Sequence, residues 1–126
     1  MTESDKNMLL LQWIKCILNK ETISDVLRRK GFVKVAICGY RECGHLLVTQ
    51  LIEEGMNISC IVDRNYQALR ELEDKQIPIV GFEECMRYNP DVMIVTPDMD
   101  YGQVCEYIEL AEIDILLLKM ESLLFD

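Results

Sequence analysis

Basic side chains are in short supply in this 126-residue chain, with 13 lysines and arginines against 22 aspartates and glutamates and a net charge of −9. Phosphate backbones and anionic bilayers are bound by clustered Lys and Arg, so nucleic acid and membrane are not expected partners. Histidine occurs once, at His45, and no Gly-x-Ser-x-Gly, His-Glu-x-x-His or phosphate loop ending in Gly-Lys-Ser/Thr is present. The signatures of common hydrolases, metalloproteases and nucleoside triphosphatases are therefore missing. No apolar run reaches the roughly 18 residues of a membrane span. The opening segment carries Glu3 and Asp5 and has no basic n-region, which does not fit a secretory signal. Three prolines and six glycines are too scattered to form a linker, so a single globular unit with an N-terminal helical extension (1–30) and an α/β body (31–126) is expected. The six cysteines are spread along the chain, two of them inside apolar runs, as suits reduced thiols filling a core in the cytoplasm. Cys38 and Cys43 form a Cys-x4-Cys pair with no second pair to complete a zinc site, so no metal is expected.

What the chain does have is alternation. Residues 5–19 read as a helix with a wide apolar face, Leu10, Ile14 and Ile17 on one stripe and Leu11, Trp13 and Leu18 beside it. Thr22 to Asp25 forms a capping box that opens a second helix, closed by Lys30 and Gly31. From Phe32 onward, short apolar runs alternate with helical segments. Strands are expected at 33–38, 58–62, 77–80, 92–95 and 113–118. Helices are expected at 42–54 (Leu46, Leu47, Leu51 and Ile52 inward), 66–74, 82–87 and 101–111. Runs apolar throughout, such as Val92 to Val95 and Ile115 to Leu118, belong to strands covered on both faces. With right-handed crossovers this gives a Rossmann-like, doubly wound, five-stranded parallel sheet of order 3-2-1-4-5, with Pro78 on an edge strand.

The most informative stretch is Val33 to Gly44. Gly39 follows a strand and Gly44 opens a helix, the first and third glycine positions of the dinucleotide fingerprint, and the helix N-terminus offers free N–H groups to a phosphate. Arg41 occupies the middle position, where a bare backbone normally meets the pyrophosphate. Its side chain either obstructs a dinucleotide or holds a phosphate through its guanidinium. Asp63, about twenty residues beyond Gly44, suits the acid that binds ribose hydroxyls, and it suits a strand-end cap equally. Arg64 beside it would favour a phosphorylated ribose. The loop after the fourth strand brings Thr96, Asp98, Asp100 and Tyr101 to the same edge, where the acids fit sugar hydroxyls or turn and cap positions. Cys43 and His45 sit in the first turn of that helix, where the dipole favours a thiolate on the one and a neutral ring on the other.

The segments Lys34 to Leu47, Cys60 to Asp63, Ile77 to Val80 and Asp91 to Thr96, in this order, resemble small Rossmann-like domains of bacterial polysaccharide biosynthesis. Among these are the N-terminal domains of sugar-nucleotide acetyltransferases, in which a separate β-helix carries catalysis. The resemblance covers 31–126 and implies a nucleotide- or nucleotide-sugar-binding module without catalysis of its own. By that resemblance Gly39, Arg41, Gly44 and Asp63 line the nucleotide site with Thr96 nearby, and their neighbours Tyr40 and Arg64 complete the expected binding set. A nucleotide sugar is the favoured ligand, with NAD or NADP in an oxidoreductase subunit as one alternative. A scaffold with an empty site, dimerising through its N-terminal helix, is the other.

Overall fold

The Thr22 capping box forms as expected, with the Thr22 side chain accepting from Asp25 N–H and the Asp25 carboxylate accepting from Thr22 N–H. A second box, Thr2 with Asp5, starts the first helix three residues into the chain. The computed structural model describes residues 2–72 and 77–125. Its elements are α1 (Glu3–Leu18), α2 (Ile23–Arg29), β1 (Lys34–Cys38), α3 (Glu42–Glu53), β2 (Asn57–Val62), α4 (Tyr66–Leu72) and β3 (Ile79–Val80). A 3-10 helix (Phe82–Tyr88) follows, then β4 (Val92–Val95), α5 (Tyr101–Leu110), β5 (Leu117–Lys119) and α6 (Met120–Leu124). The expected end of the fourth helix at Glu73 and Asp74 lies outside the described residues.

All strand pairs are parallel and the order is β3-β2-β1-β4-β5, a Rossmann-like α/β fold. Side chains alternate across the sheet because the strand period is two. Val35, Ile37, Ile61, Val92 and Ile94 pack under α1, α2, α3 and α6, and Ala36, Cys38, Cys60, Val62, Met93 and Val95 pack under α5 and the 3-10 helix. The β1–β2 register shifts between Val35 and Ala36, which pair with Ile58 and Cys60. Ser59 is the extra residue, and it resets the phase of β2 so that Ile61 faces α3 while Cys60 and Val62 face α5. Pro78 precedes edge strand β3, where its carbonyl accepts from Ile61 N–H at 2.8 Å.

Four expectations are corrected. The core stripe of α1 is Leu9 and Trp13, while Leu11, Ile14, Ile17 and Leu18 remain exposed and Leu10 is half-buried. In α3, Leu47, Val48 and Leu51 are buried but Leu46 and Ile52 are about half exposed. The third strand is only Ile79–Val80. The fifth begins at Leu117 and is half-buried, because the chain after Glu112, at φ 54°, joins the sheet only where Met93 meets Leu117. The helix α6 was not foreseen. It is held to α1 by Gln12, whose amide donates to the Leu124 carbonyl at 2.9 Å, and its Met120, Leu123 and Leu124 complete the core under α1 and α2.

Candidate functional site

The carboxyl ends of β1 and β4 are adjacent, and the loops that leave them meet at the point where the strand order reverses, the usual ligand crevice of such sheets. Gly39 takes φ +95° and its N–H donates to the Val62 carbonyl at 2.9 Å. A Cβ on Gly39 would lie 2.5 Å from Thr96 Oγ1. A Cβ on Gly44 would overlap the Gly39 carbonyl oxygen, so the two glycines allow α3 to start directly against the turn. The Thr96 hydroxyl, fully buried, lies 3.1 Å from the Cys38 carbonyl and 3.0 Å from that of Gly39.

The N-terminus of α3 is occupied by the protein itself. Its N-cap is Arg41, which provides no side-chain cap bond. In its place the Asp98 carboxylate crosses from the β4 loop: Oδ2 accepts from Arg41 N–H at 2.9 Å and Gly44 N–H at 2.7 Å, and Oδ1 accepts from Cys43 N–H at 3.2 Å. A carboxylate thus sits where a phosphate would sit on such a helix. The neighbouring acid is committed in the same way. Asp63 is buried, with Oδ2 accepting from Tyr40 N–H and Oδ1 from Asn65 N–H, both at 2.9 Å. Gly39, Tyr40, Gly44, Asp63 and Thr96 are therefore brought together, while the side chains of Arg41 and Arg64 are exposed. Arg64 lies 3.5 Å from the Gln103 amide oxygen. The Tyr40 ring is buried and its centroid lies 5.4 Å from that of exposed His45.

The residue that sequence reasoning did not connect to this helix is Asp98. A signal was present: α3 opens on Arg41, a poor cap, and the strand order places the β4 loop, with its acid, beside that opening.

Cys43 departs from expectation as well. Burial, and after it the Asp98 charge, pushes its thiol up to about 11, so desolvation outweighs the helix dipole that would favour a thiolate. Burial likewise raises Cys60 to about 11 and raises Cys38 and Cys85. In a native-state titration with an aromatic disulfide reagent near pH ~8, the half-buried Cys16 and Cys105 should react quickly. Cys38, Cys43, Cys60 and Cys85 should react only after unfolding, and fast labelling at Cys43 would contradict this. Among the described residues no group of three or more His, Cys, Asp or Glu is placed to hold a metal ion, and no helix is long and apolar enough to cross a membrane.

Two cavities flank the crevice. One, of about 450 Å³, lies at the ends of β2 and β3 and is lined by Asp63, Arg64, Tyr66, Phe82, Glu83 and Tyr107 among others. The other, of about 470 Å³, lies at the ends of β4 and β5 between Thr96, Met99, Tyr101, Lys119 and the start of α1. No family model, curated protein or solved structure matches this chain.

Proposed function

We propose that this chain is a non-catalytic interaction module on a Rossmann-like fold, its nucleotide cradle closed by its own carboxylate. The observation that carries the reading is Asp98 on the N–H groups of Arg41, Cys43 and Gly44. A pyrophosphate needs those same donors, and it would have to expel a tethered anion from a chain of net charge −9. Asp63 is buried and already binds the loop together, one carboxylate oxygen on Tyr40 N–H and the other on Asn65 N–H. The glycines, Asp63 and Thr96 then serve the turn itself. The contact surface is supplied by the apolar side chains that α1 and α3 expose, Leu11, Ile14, Ile17, Leu18 and Leu46 among them, a face of the kind that marks protein association.

Calorimetry and thermal shift with NAD, NADP and uridine- and thymidine-diphosphate sugars at millimolar concentration test this reading. No saturable response is expected from the wild-type protein, since a ligand that bound the native state would raise its melting temperature. A saturable response to any of them would overturn it.

One observation favours a second reading, a nucleotide-sugar-binding module linked to surface polysaccharide synthesis. The cavity beside β2 and β3 combines aromatic walls, Tyr66 and Tyr107, with Arg64 and with the acids Glu83 and Glu84. Those groups suit a stacked base, a phosphate and sugar hydroxyls respectively. On that reading the same panel gives a shift with a nucleotide sugar, and Arg64→Glu abolishes it.

A further inference from the structure

Helices α1 and α3 run side by side in the same direction. The Lys6 ammonium is paired with the Glu42 carboxylate near their starts, and the Trp13 indole N–H donates to the Gln50 amide oxygen further along. Between them lies a groove of about 350 Å³ lined by Leu10, Trp13, Ile14 and Ile17 from α1 and Leu46, Thr49 and Gln50 from α3, almost entirely apolar. On the outer flank of α1, Leu11 and Leu18 stand 63% and 74% exposed. At a spacing of seven they share one helix face and form a ridge beside the groove.

From this we infer that the α1–α3 face is the interface of a two-fold homodimer, in which the α1 ridge of each copy seats in the α1–α3 groove of the other. The inference rests on the interaction-module reading and names its partner. Three features select a second copy. First, an isologous contact requires one patch both to offer and to receive, and here ridge and groove lie on the same helix. With the two-fold axis parallel to α1, the two α1 helices lie side by side in the same direction, and the Leu11–Leu18 flank of each copy meets the Leu10–Ile17 flank of the other. Second, the flanking charges are complementary. Beyond its first turn α1 carries only lysine, Lys15, whereas α3 carries only acids, Glu42 and Glu53. The Trp13–Gln50 contact sets Glu53 at nearly the level of Lys15, so this arrangement brings Lys15, on the ridge flank of one copy, toward Glu53 of the other, twice. Third, the exposed parts of Met8, Leu11, Ile14, Ile17, Leu18 and Leu46 amount to on the order of 600 Å² of apolar surface per copy, close to the ~800 Å² per partner of a standard stable interface.

Light scattering on the full chain, from micromolar to hundreds of micromolar, should give twice the 14.7 kDa chain mass. Leu11→Asp and Ile14→Asp replace exposed side chains, so each should yield a monomer with unchanged circular dichroism. Lys15→Glu and Glu53→Lys should each weaken the dimer about tenfold, and the double exchange should restore it. A monomeric wild type at the highest concentration would overturn the dimer, as would an assembly indifferent to Leu11→Asp or an exchange that fails to restore it. The nucleotide panel separates the two levels. A monomer that ignores every nucleotide removes only the second copy as partner, whereas a monomer that binds one removes the interaction reading too.

Discussion

Gly44→Ala should leave little or no folded protein, with a loss above ~4 kcal/mol, the range reached when a backbone clash has nowhere to relax. The added methyl would overlap the Gly39 carbonyl oxygen and lie 2.8 Å from its carbon. Neither partner can retreat. Gly39 is fixed by its N–H on the Val62 carbonyl and its own carbonyl lies against the Thr96 hydroxyl, while α3 is held to the sheet by Leu47, Val48 and Leu51. Gly102→Ala is the control. Only the Asp100 carboxylate oxygen, at 3.3 Å, approaches a methyl there, so the change should stay within about 1 kcal/mol. Denaturant unfolding followed by circular dichroism distinguishes the two, and a folded Gly44→Ala protein of wild-type stability would refute the close approach.

Asp98→Ala should destabilise the fold by about 2 kcal/mol, since losing a cap costs about 0.5–2 kcal/mol and this carboxylate satisfies three N–H groups at the positive end of a helix. On a domain of this size that is a fall in melting temperature of roughly 5–10 °C. Asp98→Asn should lose about half as much. The amide retains one acceptor oxygen, which suffices for Arg41 and Gly44 N–H, both now on Oδ2, but not for Cys43 as well. The Ala variant also exposes an unfilled anion cradle. Millimolar sulfate should recover part of its stability while leaving the wild type, after correction for general salt effects, unmoved. An Asp98→Ala protein as stable as wild type, or equally responsive wild-type protein, would show that the three contacts do not hold the loop.

Much of this architecture was legible because it is local. Val92 to Val95 is apolar at every position and is buried throughout as a doubly covered strand, whereas the equally apolar Ile115 to Leu118, at the sheet edge, leaves Leu116 half exposed. Thr22 and Asp25 stand at the capping-box spacing, and Pro78 marks the sheet edge by what it cannot donate. The illegible parts depend on distant residues. Positions 8 to 11, 13, 14, 17 and 18 of α1 are all apolar, so periodicity alone does not select a stripe; contact with α6 and the sheet selects Leu9 and Trp13. The helix α6 has five residues and no side-chain cap bond, too little for a local signal. Asp98 is separated from its three donors by more than fifty residues, and it reads locally as a turn residue because the helix it caps lies elsewhere in the chain.

The shortness of the two outer strands has a consequence for how this protein can assemble. Ile79–Val80 offers two residues along one border of the sheet and Leu117–Lys119 three along the other, with Pro78 adjoining the first. Borders this brief give an incoming strand almost no unpaired backbone to copy. Open-ended, fibre-forming growth by β-addition is thereby discouraged, and association is left to side chains on helices, where a symmetric contact closes upon itself and stops.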